Sequence, residues 1–378
     1  MLPILFILPF MTISITLPKW FDLHVHLRQD ELLQPIIADH LAAGCAGVLA
    51  MPNTKPPVAK VLTGDSLPYL SIQTYREQIL DNGGDQFQEL IIPLYLTKDT
   101  TADMISTGAK QGLLKACKYY PPHGTTGAEF SAPIDYFIKN GVFQAMADNA
   151  IVLCVHGETA YLEPSDYFAR HSNAEEHFYQ HTIPIIREKF PTLQIVCEHI
   201  TTKIAVDFVK AHCATTTVAT VTPQHLLYTI GDLVKGLKYH LYCLPLLKFD
   251  EDRASLRAAV TDPLNQQFFA GTDSAPHTQK TTDCGCAAGC YTAPIGPALY
   301  AEAFELAGLD LSLVDHQIIF KRFLCELGPQ FYHLKIPTET FTLIKSPQEL
   351  QTTQTSKGPL IPLTIGLNSA LNWQVNPF

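Results

Sequence analysis

A chain of 378 residues that is 47% hydrophobic and 16% charged carries enough apolar material for one large core or two modest ones, which excludes a disordered polypeptide. The formal net charge of −10, with no run of Lys and Arg, argues against a nucleic-acid surface, although a few local cations would still hold a small anion. Ten cysteines in so long a chain, several inside apolar runs (Cys117, Cys154 and Cys197), fit buried free thiols of a reducing cytoplasm better than a disulfide framework.

The first ten residues, MLPILFILPF, are apolar but carry no basic residue. A secretory leader has a positive start, and a membrane-spanning helix needs about 20 residues. Met11 is an alternative start, and residues 1–11 are read as an extension outside the fold. Eight short apolar runs follow, at 20–26, 47–52, 90–96, 113–119, 151–156, 193–198, 215–221 and 268–271. They are rich in Val, Ile, Leu and Tyr, as parallel strands buried on both faces should be. Helical patterns separate most of them; over 31–43 apolar residues recur at helical spacing, and Gly44 stands where a C-terminal cap belongs. Eight strands alternating with helices predict an α/β fold, a (β/α)8 TIM-type barrel formed by residues 12–345 as a single domain, over a doubly wound sheet. Residues 346–378, rich in Thr, Gln and Pro, are read as a C-terminal strap or tail.

Residues two apart in a strand share a face, so His24 and His26 project together at the C-terminal end of the first strand, where barrels form their active sites. Two imidazoles on one face are a half-site for a metal such as zinc, although His-x-His alone is as readily a surface pair. Other strand ends carry further candidates: Lys118, His156 with Glu158, Glu198 with His199, and Asp273. A single buried histidine is usually a satisfied core residue, but five strand ends converging on N and O donors are not readily a packing accident. A lysine ammonium has no lone pair to give a metal. Beside paired histidines it could take up CO2 as a carbamate, an anionic carboxylate on a long arm; otherwise it is an ordinary surface lysine.

In order, His24-x-His26-x-Arg28, Met51-Pro52-Asn53-Thr54, Lys118-Tyr119-Tyr120-Pro121, His156-Gly157-Glu158, Glu198-His199-Ile200-Thr201-Thr202, Tyr242-Cys243-Leu244-Pro245 and Gly271-Thr272-Asp273-Ser274-Ala275-Pro276-His277 resemble the signatures of dihydroorotase of the short bacterial type, in the amidohydrolase superfamily. The resemblance runs over about residues 20–294. It implies two zinc ions per chain. The more buried would be held by His24, His26, carboxylated Lys118 (N6-carboxylysine) and Asp273, the more exposed by Lys118, His156 and His199; manganese or cobalt would also suit such donors. It implies Asp273 as general acid and base. It places the substrate against Arg28, Asn53, His156 and His277, with Thr125 and Thr126 on a closing loop and backbone groups from Leu244 and from Ala287, Ala288 being the alternative. The substrate so implied is small, N-carbamoyl-L-aspartate or L-dihydroorotate, the protein a cytoplasmic homodimer with no nucleic-acid or membrane partner.

Two departures stand out. Gln29 follows Arg28 where the family commonly has an acid, and the segment 284–290 holds one extra small residue. Another cyclic amidohydrolase, of hydantoinase or allantoinase type, would share the metal frame but not the carboxylate-binding set. An inactive barrel that scaffolds a transcarbamoylase would be expected to lose metal ligands, and all six candidates are present here.

Overall fold

The computed structural model describes residues 13–125, 127–283, 285–367 and 370–376. The apolar extension 1–11 and Thr126 lie outside the described residues. The eight expected strands are all present, within a few residues of their predicted bounds. They are Trp20–Val25, Cys45–Ala50, a third in two pieces (Glu89–Ile91 and Leu94–Tyr95), Ala116–Tyr119, Val152–His156, Ile195–Glu198, Thr217–Val221 and Phe268–Ala270. Each pairs in parallel with the next in the chain. The third strand breaks at Ile92-Pro93, since proline has no N–H to give the ladder. Closure comes from a parallel bridge between Val25 and Ser274, with His26 N donating to Ser274 O at 2.9 Å. The result is a closed (β/α)8 barrel.

The first two strands are buried at every position, as faces covered by helices on one side and barrel interior on the other require. One apolar cluster fills the barrel: Phe21, Leu23, Leu49, Ile91, Val152, Val196, Val218 and Phe269 meet Leu327 and Phe331. A larger cluster lies between the strands and the helices. The helix predicted over 31–43 is a 3-10 turn Asp30–Leu32 running into an α-helix Leu33–Ala42. Gly44 ends it at φ 75°, a conformation that glycine adopts without a Cβ penalty.

The chain's two ends meet. Strand Ser14–Pro18 pairs antiparallel with Thr340–Gln348, which pairs antiparallel with Leu371–Asn376. Much of the segment read as a strap or tail is thus regular structure, fixed by buried Leu360, Leu363, Leu371 and Trp373. Among the described residues no helix is long and apolar enough to cross a membrane, and the cysteines are free thiols.

Candidate active site

Polar side chains continue the apolar inward rows of the strands. On the fifth strand Val152 and Cys154 lie in the barrel interior and His156 is next in their row; on the fourth, Ala116 leads to Lys118; on the second, Leu49 and Met51 lead to Asn53. The eighth row runs from Phe269 past Gly271 to Asp273. On the first strand the ladder register shifts between Asp22 and Val25, and both His24 and His26 reach the mouth. His199 is out of phase, because the inward row of the sixth strand is Val196 then Glu198.

Backbone strain accompanies this convergence. Arg28, His199 and Asp273 have φ of 66°, 40° and 50°, conformations that cost a non-glycine residue roughly 1–2 kcal/mol. Buried hydrogen bonds hold them there. His199 N donates to Thr220 Oγ1 at 2.8 Å, and Glu175 accepts from the backbone N–H groups of Thr201 and Thr202 at 2.8 and 3.0 Å and from both hydroxyls. Asp273 N donates to His24 O at 2.9 Å, while Thr272 gives its N–H and hydroxyl to Asp22 at 2.8 and 2.5 Å.

The donor set fits a metal. His24 Nδ1 donates to Glu198 Oε2 at 2.7 Å, and His26 Nδ1 lies 2.8 Å from Asn53 Oδ1. Their Nε2 atoms then face Asp273 Oδ1 at 3.5 and 3.0 Å. One ligand atom from each of His24, His26 and Asp273 lies within 4.8 Å of the others. Burial lowers the His26 imidazole to a pKa of about 4, and a neutral imidazole offers a lone pair. Lone pairs and a carboxylate turned on one point are an arrangement that a divalent cation satisfies. Burial also pushes the Asp273 carboxyl upward, but its basic surroundings, the His26 ring in contact with it first and His24 and Lys118 beside it, favour the carboxylate and hold it below its usual range.

Lys118 Nζ and His199 Nδ1 are buried and have no hydrogen-bond partner among the described residues. Burial pulls the Lys118 ammonium down against the attraction of Glu198, Cys154 and Asp273. The neutral amine that burial favours is the nucleophile that CO2 takes up. The His199 ring lies 4.8 Å from that of His24 and 4.7 Å from that of His156, centroid to centroid. His156 Nε2 is 2.6 Å from Glu158 Oε2.

Beside this cluster a cleft is lined by Arg28, Asn53, Tyr120, Thr125, Leu244 and Ala288. Arg28 Nε donates to Pro276 O at 3.0 Å and its Nη2 lies 3.1 Å from His277 Nε2, which is itself 2.7 Å from Ala288 O. Ala287 is not at the cleft wall: its N–H donates to Lys280 O at 2.8 Å and its carbonyl accepts from Lys280 Nζ at 2.6 Å. The sequence singles out Glu198 only as a candidate donor and gives no role to Glu175, Asp22 or Tyr120. Glu198 and Tyr120 stand two positions beyond inward-facing Val196 and Lys118, and that period was the signal available for them.

Comparison with known proteins agrees with this geometry. No family model matches the chain. It is 37% identical over 369 residues to a dihydroorotase of Halorhodospira halophila, covering 96% of this chain and 99% of the relative. The dihydroorotase of Synechocystis sp. is 38% identical over 368 residues, with the same coverage of both. The chain belongs to the dihydroorotase family. It is therefore a hydrolase of cyclic amides, in a family of metal-dependent amidohydrolases. Among solved structures, dihydroorotase from Saccharomyces cerevisiae in complex with 5-fluoroorotic acid superposes with a TM-score of 0.83 at 26% identity, covering 96% of this chain and 98% of that one. An L-hydantoinase of Arthrobacter aurescens, at 13% identity with a TM-score of 0.70 and coverage of 96% and 83%, shares the fold.

Proposed function

We propose that this chain interconverts N-carbamoyl-L-aspartate and L-dihydroorotate, the ring-closing reaction of pyrimidine synthesis, at the mouth of its barrel. The observation that carries the reading is the adjacency of two chemistries: a metal-donor cluster of His24, His26 and the Asp273 carboxylate, and Arg28 at the wall of the same cleft, in contact with His277. His24, His26 and Asp273 would hold one zinc ion, and His156 and His199 a second, with Lys118 carboxylated and shared. Bound there, the metal ions would supply Lewis acidity and lower the pKa of a water molecule toward neutrality.

The residues of the chain do the rest. Arg28 presents a planar fork that matches the substrate carboxylate, which Asn53 and His277 flank. The backbone groups of Leu244 and Ala288 hold the pyrimidine ring and its carboxylate; Ala288, rather than Ala287, faces the cleft. Thr125, at the cleft wall, would close over the bound ring. In ring opening, water adds to the amide carbonyl carbon and the C–N bond breaks. Asp273 takes the proton from the attacking water and delivers it to the departing ring nitrogen. Cyclisation runs the same steps backwards. The setting is cytoplasmic and the active unit a homodimer.

Ring opening of L-dihydroorotate, followed as loss of ultraviolet absorbance, tests the reading. Turnover that chelator abolishes and zinc restores is the expected result. Metal-loaded protein that leaves dihydroorotate intact but opens a hydantoin or dihydrouracil ring would overturn it.

A further inference from the structure

Lys280 lies against the segments that form the cleft wall, and neither the metal donors nor the carboxylate contacts use it. Its Nζ lies 2.6 Å from the carbonyl oxygen of Ala287, 2.5 Å from that of Gly289 and 3.1 Å from that of Tyr242. Three acceptors match the three N–H donors of an ammonium. They come from two segments: Tyr242 belongs to the one that brings Leu244 to the cleft, and Ala287 and Gly289 flank Ala288. Gly289 N donating to Tyr242 O at 2.9 Å ties the same two segments together.

The peptide unit is planar and trans, so its C=O and N–H point to opposite sides. The Ala287 carbonyl, turned onto Lys280, therefore turns the Ala288 N–H the other way. That N–H meets no acceptor among the described residues, while the Ala288 carbonyl is close to His277. We propose that Lys280 is a positioning residue for carboxylate recognition: it clamps segments 242–245 and 287–289 together and sets the Ala288 N–H as a donor to the substrate carboxylate beside Arg28 and His277. The identity of that ligand rests on the dihydroorotate reading above; the clamp does not.

The test uses full-length, metal-loaded protein and the variants Lys280→Met, which keeps the stem without the charge, and Lys280→Arg, whose planar fork cannot point three donors at converging carbonyls. Lys280→Met should raise KM for L-dihydroorotate by about tenfold or more, with kcat within about threefold and metal content unchanged. Amide hydrogen exchange over 285–290 should quicken in the same variant, and Lys280→Arg should shift both readouts in the same direction by less. Wild-type KM and exchange in folded Lys280→Met would overturn the proposal, as would an equal loss of kcat and of metal. Should Lys280→Met not fold, wild-type values for Lys280→Arg overturn it. If the wild-type protein does not turn over dihydroorotate, the reaction assignment fails, and exchange still decides the clamp: faster exchange supports it and unchanged exchange refutes it.

Discussion

At the scale of single residues, burial works against the charged forms of His26 and Lys118. Lys118 has a fully buried amine with no hydrogen-bond partner among the described residues, which in an ordinary core would be a serious destabilisation. Lys118→Met fills the same space without the nitrogen; it is expected to fold, to bind far less zinc by elemental analysis and to lose turnover. Full activity and full metal content in that variant would remove Lys118 from the site. Glu198 fixes the tautomer of His24, as partners of metal-bound histidines commonly do. Glu198→Gln should therefore weaken metal binding about 10–100-fold in chelator competition. Arg28 is a geometric case. Arg28→Lys keeps the charge but loses the fork, so KM should rise roughly tenfold with a smaller change in kcat.

Between residues and the whole lie the strand ends and the segments that follow them. The period of two along a strand places His156, Lys118 and Asn53 at the mouth without further device. His199 is out of that period and needs its left-handed backbone, which Glu175 holds by clasping Thr201 and Thr202. Glycine does comparable work at the helix end. A Cβ on Gly44 would stand 2.6 Å from Phe341 Cγ, on a backbone with φ of 75°. Gly44→Ala should cost about 1–3 kcal/mol of stability, from overpacking and an incompatible backbone together, read as a lower urea midpoint at unchanged slope. A midpoint equal to that of the native chain would show that Phe341 moves aside freely.

Across the molecule, the outer antiparallel sheet joins the first described strand to the last. Trp373 is fully buried there, and its indole N–H donates to Glu305 at 3.1 Å. Trp373→Ala should destabilise the fold by about 3–5 kcal/mol. The folded fraction should keep its turnover, since the mouth of the barrel is formed by other segments; a loss of kcat in that fraction would mean that the sheet reaches the site.

The sequence by itself determined the barrel, because eight buried parallel strands leave a periodic apolar signal that single residues cannot disguise. It also named the candidate donors, since His24, His26, Lys118, His156 and Asp273 sit at the ends of those apolar runs. What only the tertiary structure decided was which groups support them. Glu175 meets Thr201 and Asp22 meets Thr272 across many residues of chain, and no local period reports such contacts. The choice between Ala287 and Ala288 was likewise closed to sequence reading, since both are the same side chain. In the structure Ala288 lines the cleft, while the Ala287 carbonyl is turned onto Lys280. Local pattern names the residues that can point inward; the hydrogen bonds that fix where they point depend on parts of the chain brought together only by folding.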